Sequence, residues 1–135
     1  MLIVPKADSL TQVYWDGVQL RELRIQKCLA CDHAWHPPLY ICPKCRSKNI
    51  KWIAISGRGT VYSFTIVHHA AHEAVVDSVP YLVALVSLAE GPRIVSNILN
   101  CQFNDVKIGM QVNLTFQEIS KGVLLPQFEP IADLF

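Results

Sequence analysis

Charge is scarce in this chain. Charged side chains make up 17% of its 135 residues while apolar ones make up 51%, against a usual charged share of roughly 25%. That shortage excludes a largely disordered chain, because enough apolar surface is available to offset the entropy of ordering. Long apolar runs are missing as well. The longest, Tyr81–Ala89, falls far short of the about 20 residues that a membrane-spanning helix needs. Met1–Leu10 lacks an apolar run behind a basic start and carries Lys6, Asp8 and an early proline, unlike a secretory signal. A soluble cytoplasmic protein is therefore expected. Glycine is sparse, and Gly57-Arg-Gly59 is too short for a phosphate-cradling loop, reading instead as a bulge or corner. The length suits one ordinary domain or two very small ones, which excludes a multidomain enzyme.

What the chain does have is unevenly placed. Residues 1–51 hold eight Lys/Arg and four Asp/Glu, and residues 52–135 hold four and seven, so a half of net charge +4 precedes one of −3. The break near residue 51 marks two modules. Four of the five cysteines stand as Cys28-Leu-Ala-Cys31 and Cys42-Pro-Lys-Cys45. In a reduced compartment such pairs point to a metal cage, not a disulfide framework. Each CxxC turn aims two sulfurs at one point, and two turns complete a tetrahedron. Between them, His36-Pro37-Pro38 suits the chain reversal, since proline fixes φ and blocks regular pairing.

Structural zinc is the expected occupant, held by Cys28, Cys31, Cys42 and Cys45. Iron in a rubredoxin-like site uses the same four thiolates, so spacing leaves it open. A redox CxxC calls for one pair beside a βαβ pattern, which is absent. Catalytic zinc needs a free position that four cysteines do not leave. The segment has few apolar side chains, so the metal is what folds it.

Ahead of the cysteines, Ser9–Gly17 reads as a short helix, with Ser9 as N-cap, Gln12 completing a capping box and Gly17 as the stop. Beyond Lys51 the runs Trp52–Ser56, Gly59–His68, Tyr81–Ala89, Arg93–Leu99 and Gln111–Ser120 are rich in β-branched and aromatic residues and bounded by turn signals. Five or six strands without a crossover helix predict a small antiparallel barrel of the five-stranded OB type, with an open sandwich as the alternative. The expected organisation is a helical segment over 1–20, a zinc ribbon over 21–51 and a barrel over 52–135.

The two cysteine pairs, Pro37-Pro38, Trp52, Ser56-Gly-Arg-Gly-Thr-Val-Tyr-Ser-Phe-Thr65, Pro80-Tyr81, Glu90-Gly91 and Ile108-Gly-Met110 together resemble domain-of-unknown-function family 35. The resemblance runs from about residue 9 to Pro130. It implies a rubredoxin-like zinc ribbon joined to an OB fold, in a non-catalytic, acyl-CoA-associated accessory subunit of thiolase-type enzymes. Archaeal relatives bridge acetoacetyl-CoA thiolase and hydroxymethylglutaryl-CoA synthase, and bacterial ones serve thiolases or hydratases in steroid and aromatic degradation.

The runner-up is a single-stranded nucleic-acid-binding barrel. Such a barrel wants a basic groove lined with aromatics, whereas here the basic side chains concentrate in the ribbon as Arg21, Arg24, Lys27, Lys44, Arg46, Lys48 and Lys51. With a tetrathiolate zinc the ribbon retains a net charge of about +3, able to meet the phosphates of a coenzyme A thioester, an acidic partner face or a nucleic-acid backbone. His36, Arg58, His68 and Arg93 are the candidate ligand or partner contacts. His68, His69 and His72 lie at a strand end where neighbours face opposite sides, which argues against a shared metal or substrate. Cys101 reads as an apolar filler, and an enzyme using the barrel mouth ranks lowest. Mean hydropathy of +0.26 is high for so small a chain, and implies an exposed apolar patch, either around Tyr14 and Trp15 or along Val123–Leu125 to Ile131–Phe135.

Overall fold

The computed structural model describes residues 4–131. In chain order these form α1 (Gln12–Gln19), β1 (Arg24–Cys28), β2 (Ala34–Trp35), β3 (Ile50–Ala54), β4 (Arg58–Val67), β5 (Tyr81–Leu88), β6 (Arg93–Ser96), β7 (Gln111–Ser120) and β8 (Val123–Pro130). No helix among the described residues is long and apolar enough to cross a membrane.

The helix begins later than the capping box predicts. Asp8 Oδ1 accepts hydrogen bonds from the amides of Leu10 and Thr11 and from the Thr11 hydroxyl, so an Asx turn launches the chain and Thr11 stands at the N-cap. Ser9 instead lies 3.0 Å from the Tyr40 hydroxyl, and Gln12 donates to Asp16. Gly17 does not stop the helix; it lies within it, against β1. A Cβ there would sit 2.7 Å from Arg24 Cδ and 2.8 Å from the Glu22 carbonyl, so only glycine allows this approach. The helix closes at Leu20, and Arg21 reverses the chain at φ 60.

Two sheets follow. Strands β2-β1-β3 make the first and β6-β5-β4-β7-β8 the second. The run at Trp52–Ser56, expected to open the barrel, instead supplies β3, which pairs along the whole of β1 from Arg24↔Ala54 to Cys28↔Ile50. The second sheet curls shut. A parallel bridge joins Ile98 to Phe128, the amide of Leu99 donates to the Phe128 carbonyl, and the Phe128 amide donates to Asn97. Antiparallel pairing elsewhere with this one parallel seam is an OB-fold barrel. Val123–Leu125, read from sequence as tail, is the start of its last strand. Residues 132–135, the rest of that expected apolar tail, lie outside the described residues.

Alternation explains the core. In β5, Leu82, Ala84, Val86 and Leu88 are buried while their neighbours are half-exposed. The Gly57-Arg-Gly59 motif is a corner: Gly57 takes φ +89, and a Cβ on Gly59 would lie 2.5 Å from Val86 Cγ1. One apolar cluster gathers Val61, Val86, Val112 and Phe128 from the barrel with Tyr14 and Val18 of α1 and Leu23 and Ile25 around β1. Gln19 adds a polar clasp, donating to the Gly122 carbonyl and accepting from the Leu124 amide. The helix and the start of β1 thus share the barrel's interior, while Cys28, Trp35 and Cys42 form a small cluster of their own.

Candidate metal centre and the cleft beside it

Strand β1 delivers Cys28 to the centre, and the chain then folds into a tight knuckle. The Asp32 amide donates to the Cys28 carbonyl, and the Cys28 amide donates to His33. The second pair repeats this, with the Arg46 amide donating to Cys42 and the Cys42 amide to Ser47. The residue after each second cysteine, Asp32 or Arg46, takes φ 65. In this turn backbone amides point at sulfur: Ala30 at Cys28 Sγ, and Lys44 and Cys45 at Cys42 Sγ.

The four sulfurs converge. Cys28 and Cys45 Sγ lie 3.5 Å apart, Cys31 and Cys42 Sγ 3.7 Å, and all four lie within 4.8 Å of one another. A tetrahedron with metal–sulfur bonds near 2.3 Å has edges of about 3.8 Å, so the cage fits one ion. The cysteines form no disulfides. Without a cation their protons are shared unequally. Burial raises the Cys42 thiol, but the amides of Cys45 and Lys44 outweigh it and bring it down to about 7. The His33 amide lowers Cys31, yet burial and the neighbouring sulfurs push it up to about 12. Four thiolates this close need a cation to ionise together.

Behind the sulfurs stands a residue that the sequence did not flag. Gln26, buried on β1, accepts through Oε1 from the Trp35 indole and from the Leu39 amide, both at 2.7 Å. It fixes the loop that carries the second cysteine pair. An isolated glutamine in a polar-looking strand gives no sequence signal of this role; only its place two residues before Cys28, facing inward, hints at it.

Beside the centre a cleft of about 730 Å³ opens between the ribbon and the Glu90–Pro92 turn, with Lys27, Lys44, His36 and Arg93 along it and Asp32 and Glu90 among them. His36 is largely enclosed, its ring 5.4 Å from that of Tyr14, and burial lowers its pKa. Its Nδ1 has no partner among the described residues, and neither has Glu90 Oε1. The Arg93 guanidinium lies 3.7 Å above the Tyr62 ring. Of the four candidate contacts, the structure therefore brings His36 and Arg93 to one cleft. Arg58 and His68 are exposed at opposite ends of β4, outside it. Arg24 is already engaged, by Glu22 at 3.1 Å and by the Val13 carbonyl. His72 caps a short 3-10 turn, accepting from the Ala74 amide. Cys101 packs half-buried against the core, its thiol raised by burial and by Asp105.

The surface of the ribbon carries apolar side chains in the open. Leu29, Leu39, Tyr40 and Ile41, all from the metal-binding loops, are 40% exposed or more. The patch expected around Tyr14 is instead buried, since Tyr14 faces the barrel and Trp15 packs partly against it.

Comparison with known proteins matches residues 15–50 to the ChsH2 rubredoxin-like zinc ribbon domain and residues 52–117 to the ChsH2 C-terminal OB-fold domain. A DUF35 domain-containing scaffold protein of Methanocaldococcus jannaschii is 40% identical over 116 residues, covering 84% of this chain and 82% of that protein. A probable enoyl-CoA hydratase alpha subunit of Thermomonospora curvata is 38% identical over 117 residues; the match takes in 87% of this chain but only 36% of the relative's length. Among solved structures, an Ltp2-ChsH2(DUF35) aldolase chain superposes with a TM-score of 0.84 at 36% identity, covering 93% of this chain and 98% of that one.

Proposed function

Because the chain belongs to the DUF35 family, we propose that it is a non-catalytic scaffold subunit of an acyl-CoA-processing complex. Its ribbon holds a structural zinc, and its partner is a thiolase-type enzyme that carries the catalytic residues. The observation that carries this reading is the closed cage of four sulfurs beside a cleft that Lys27, Lys44 and Arg93 share with Asp32 and Glu90. Four thiolates leave no position for water or substrate on the ion, so the metal serves to present the ribbon surface. That surface combines exposed Leu29, Leu39, Tyr40 and Ile41, which suits an obligate protein contact. The scaffold and hydratase-subunit names of the relatives support the same reading.

In this reading the cleft meets the phosphate end of a coenzyme A thioester. Lys27, Lys44 and Arg93 supply cationic donors there, and His36 lines the same cleft. Arg58 and His68, exposed and outside the cleft, serve the partner. A centre of four reduced thiols suits the cytoplasm.

Co-purification from the native host followed by mass spectrometry tests the proposal. Recovery of a thiolase-type, hydratase or aldolase subunit is expected, with loss of that partner on Tyr40→Glu. Stoichiometric zinc and a colourless protein are expected; a red protein means ferric iron instead. Steep, salt-dependent oligonucleotide binding at micromolar affinity in physiological salt, with no enzyme recovered, would overturn the scaffold reading.

A further inference from the structure

The barrel seam is incomplete, and the strand register says where. In the hairpin of β5 and β6 the Leu88 amide donates to the Pro92 carbonyl. Hydrogen-bonded pairs alternate along an antiparallel ladder, so inward from that rung Val86 bonds Ile94 and Ala84 bonds Ser96. The backbone groups of Arg93, Val95 and Asn97 therefore point away from β5, toward β8. Asn97 is met there: its carbonyl accepts from the Phe128 amide, and the Leu99 amide donates to the Phe128 carbonyl. The next rung of this parallel seam would carry the amide of residue 126 to the Val95 carbonyl, but Pro126 has no N–H. Its carbonyl instead accepts from the Ser96 hydroxyl at 3.0 Å, and further along Gln19 Oε1 takes the Leu124 amide. Strand β5 is the only neighbour of β6 in the sheet. The N–H and C=O groups of Arg93 and Val95 thus have no partner among the described residues.

This edge is accessible. Val95 is 68% exposed, and Arg93 shares its outward face. A groove of about 260 Å³ runs beside the edge, with Trp15, His36, Ile94, Leu125 and Pro126 among its walls and no carboxylate. The Arg93 guanidinium is held 3.7 Å above the Tyr62 ring, with Nε 3.4 Å from the Ser87 hydroxyl, yet it pairs with no described carboxylate. An open strand edge is a template for another strand, whose side chains alternate between the two faces. Two residues of that strand, two positions apart, would stand beside Arg93 and Val95. The residue between them would turn toward the groove.

We propose that the edge of β6 at Arg93–Val95 docks an extended segment of a partner protein, added as a strand, with a carboxylate beside Arg93 and apolar side chains beside Val95 and in the groove. With the enzyme of the scaffold reading as partner, this names the mode of contact and in that respect rests on that reading. A second copy of the chain fits less well. Antiparallel self-pairing about Ile94 brings both Arg93 guanidinium groups to one face with no carboxylate between them. With five N–H donors, Arg93 faces the carboxylate of the strand and a phosphate in the cleft together.

The probe is the peptide acetyl-Glu-Leu-Val-Leu-Glu-amide, whose symmetric pattern suits either strand direction, titrated by NMR into the metal-loaded full chain. Saturable shifts are expected at the amides of Arg93 and Val95. The same peptide N-methylated at its central residues keeps every side chain but cannot pair as a strand, and should give none. Replacing its Glu by Gln should weaken binding about two- to fivefold, the effect of an exposed ion pair. Val95→Pro removes an outward N–H and spares the β5 ladder, so it should weaken the peptide about tenfold or more. Equal binding of the methylated peptide, shifts mapping elsewhere, no saturation at millimolar peptide, or a dimer of the free chain closed on this edge would each overturn the proposal. The methylated control on the native protein decides the matter even if Val95→Pro does not fold. No enzyme enters this assay, so its failure counts against the edge alone, whereas failure to co-purify an enzyme counts against the scaffold reading.

Discussion

The ribbon and the barrel solve the same problem by opposite means. Around the metal the buried apolar set is Cys28, Trp35 and Cys42, with Cys31 and Ile50 at its margin. No domain of ordinary stability rests on so small a core. The barrel instead buries alternate residues of five strands around Phe128, Val112 and Val86. Coordinate bonds to a metal would order the first; removal of apolar surface from water orders the second. Between them, β1 lends Ile25 to the barrel core and Cys28 to the metal. The contrast teaches that a segment poor in apolar residues can still be fully specified, provided its ligands are placed by hydrogen-bonded turns.

Metal removal should separate the two regions most sharply. Structural zinc in zinc-finger peptides is worth about 10–16 kcal/mol of apparent binding energy. Chelation, or Cys42→Ser, is expected to abolish the β1–β2–β3 amide signals in an NMR spectrum while signals from β4 to β8 survive. Simultaneous loss of both sets would break the comparison and make the chain one cooperative unit. Next in size, Phe128→Ala should cost about 3–5 kcal/mol, as for other fully buried aromatics. Chemical denaturation would read this, and the stoichiometry of bound metal in the still-folded variant should stay at one ion. A smaller effect is expected of Gln26→Leu, which strands the buried Trp35 indole N–H at about 1–3 kcal/mol and leaves the amide of the exposed Leu39 to water. Its melting temperature should fall with the barrel amides unshifted; a neutral result would mean that the second-pair loop is held by the metal alone.

The smallest effect concerns pH. Burial lowers the His36 pKa, so folding favours the neutral ring. The unfolded chain, with a value near 6.5, then binds more protons than the folded one. His36 therefore contributes stability that is full above about pH 6.5 and is lost as pH falls through that value toward the folded pKa. Titration of its ring protons should give a midpoint below that of a free histidine, and a midpoint at or above about 6.5 would show the ring to be solvated.

Much of this was legible in the sequence, and for traceable reasons. Cys28, Cys31, Cys42 and Cys45 were readable as a set because coordination geometry restricts spacing, and their four sulfurs lie within 4.8 Å of one another. The barrel was readable because β7 alternates clearly at Val112, Leu114 and Phe116 and because β-branched and aromatic runs such as Tyr81–Ala89 are bounded by turn signals. The helix start was not, since Ser9 with Gln12 imitates a capping box that Asp8 in fact displaces through its own two backbone bonds. Trp52–Ser56 looked like a barrel strand because β propensity says nothing of which sheet a strand joins. The open edge of β6 was invisible: Val95 and Pro126, remote in sequence, come to face each other only once the seam between β6 and β8 has closed.

The clasp made by Gln19, together with the seating of Tyr14 and Val18 against the barrel, has a mechanical corollary. The described chain has no slack joint at which one half swivels on the other. A partner gripping the four-cysteine end would therefore also set the bearing of the barrel, as a bracket screwed down at one arm fixes the direction of the second. For an assembly that hands a substrate between centres, alignment would then come with attachment, and no separate closing motion of this subunit would be needed.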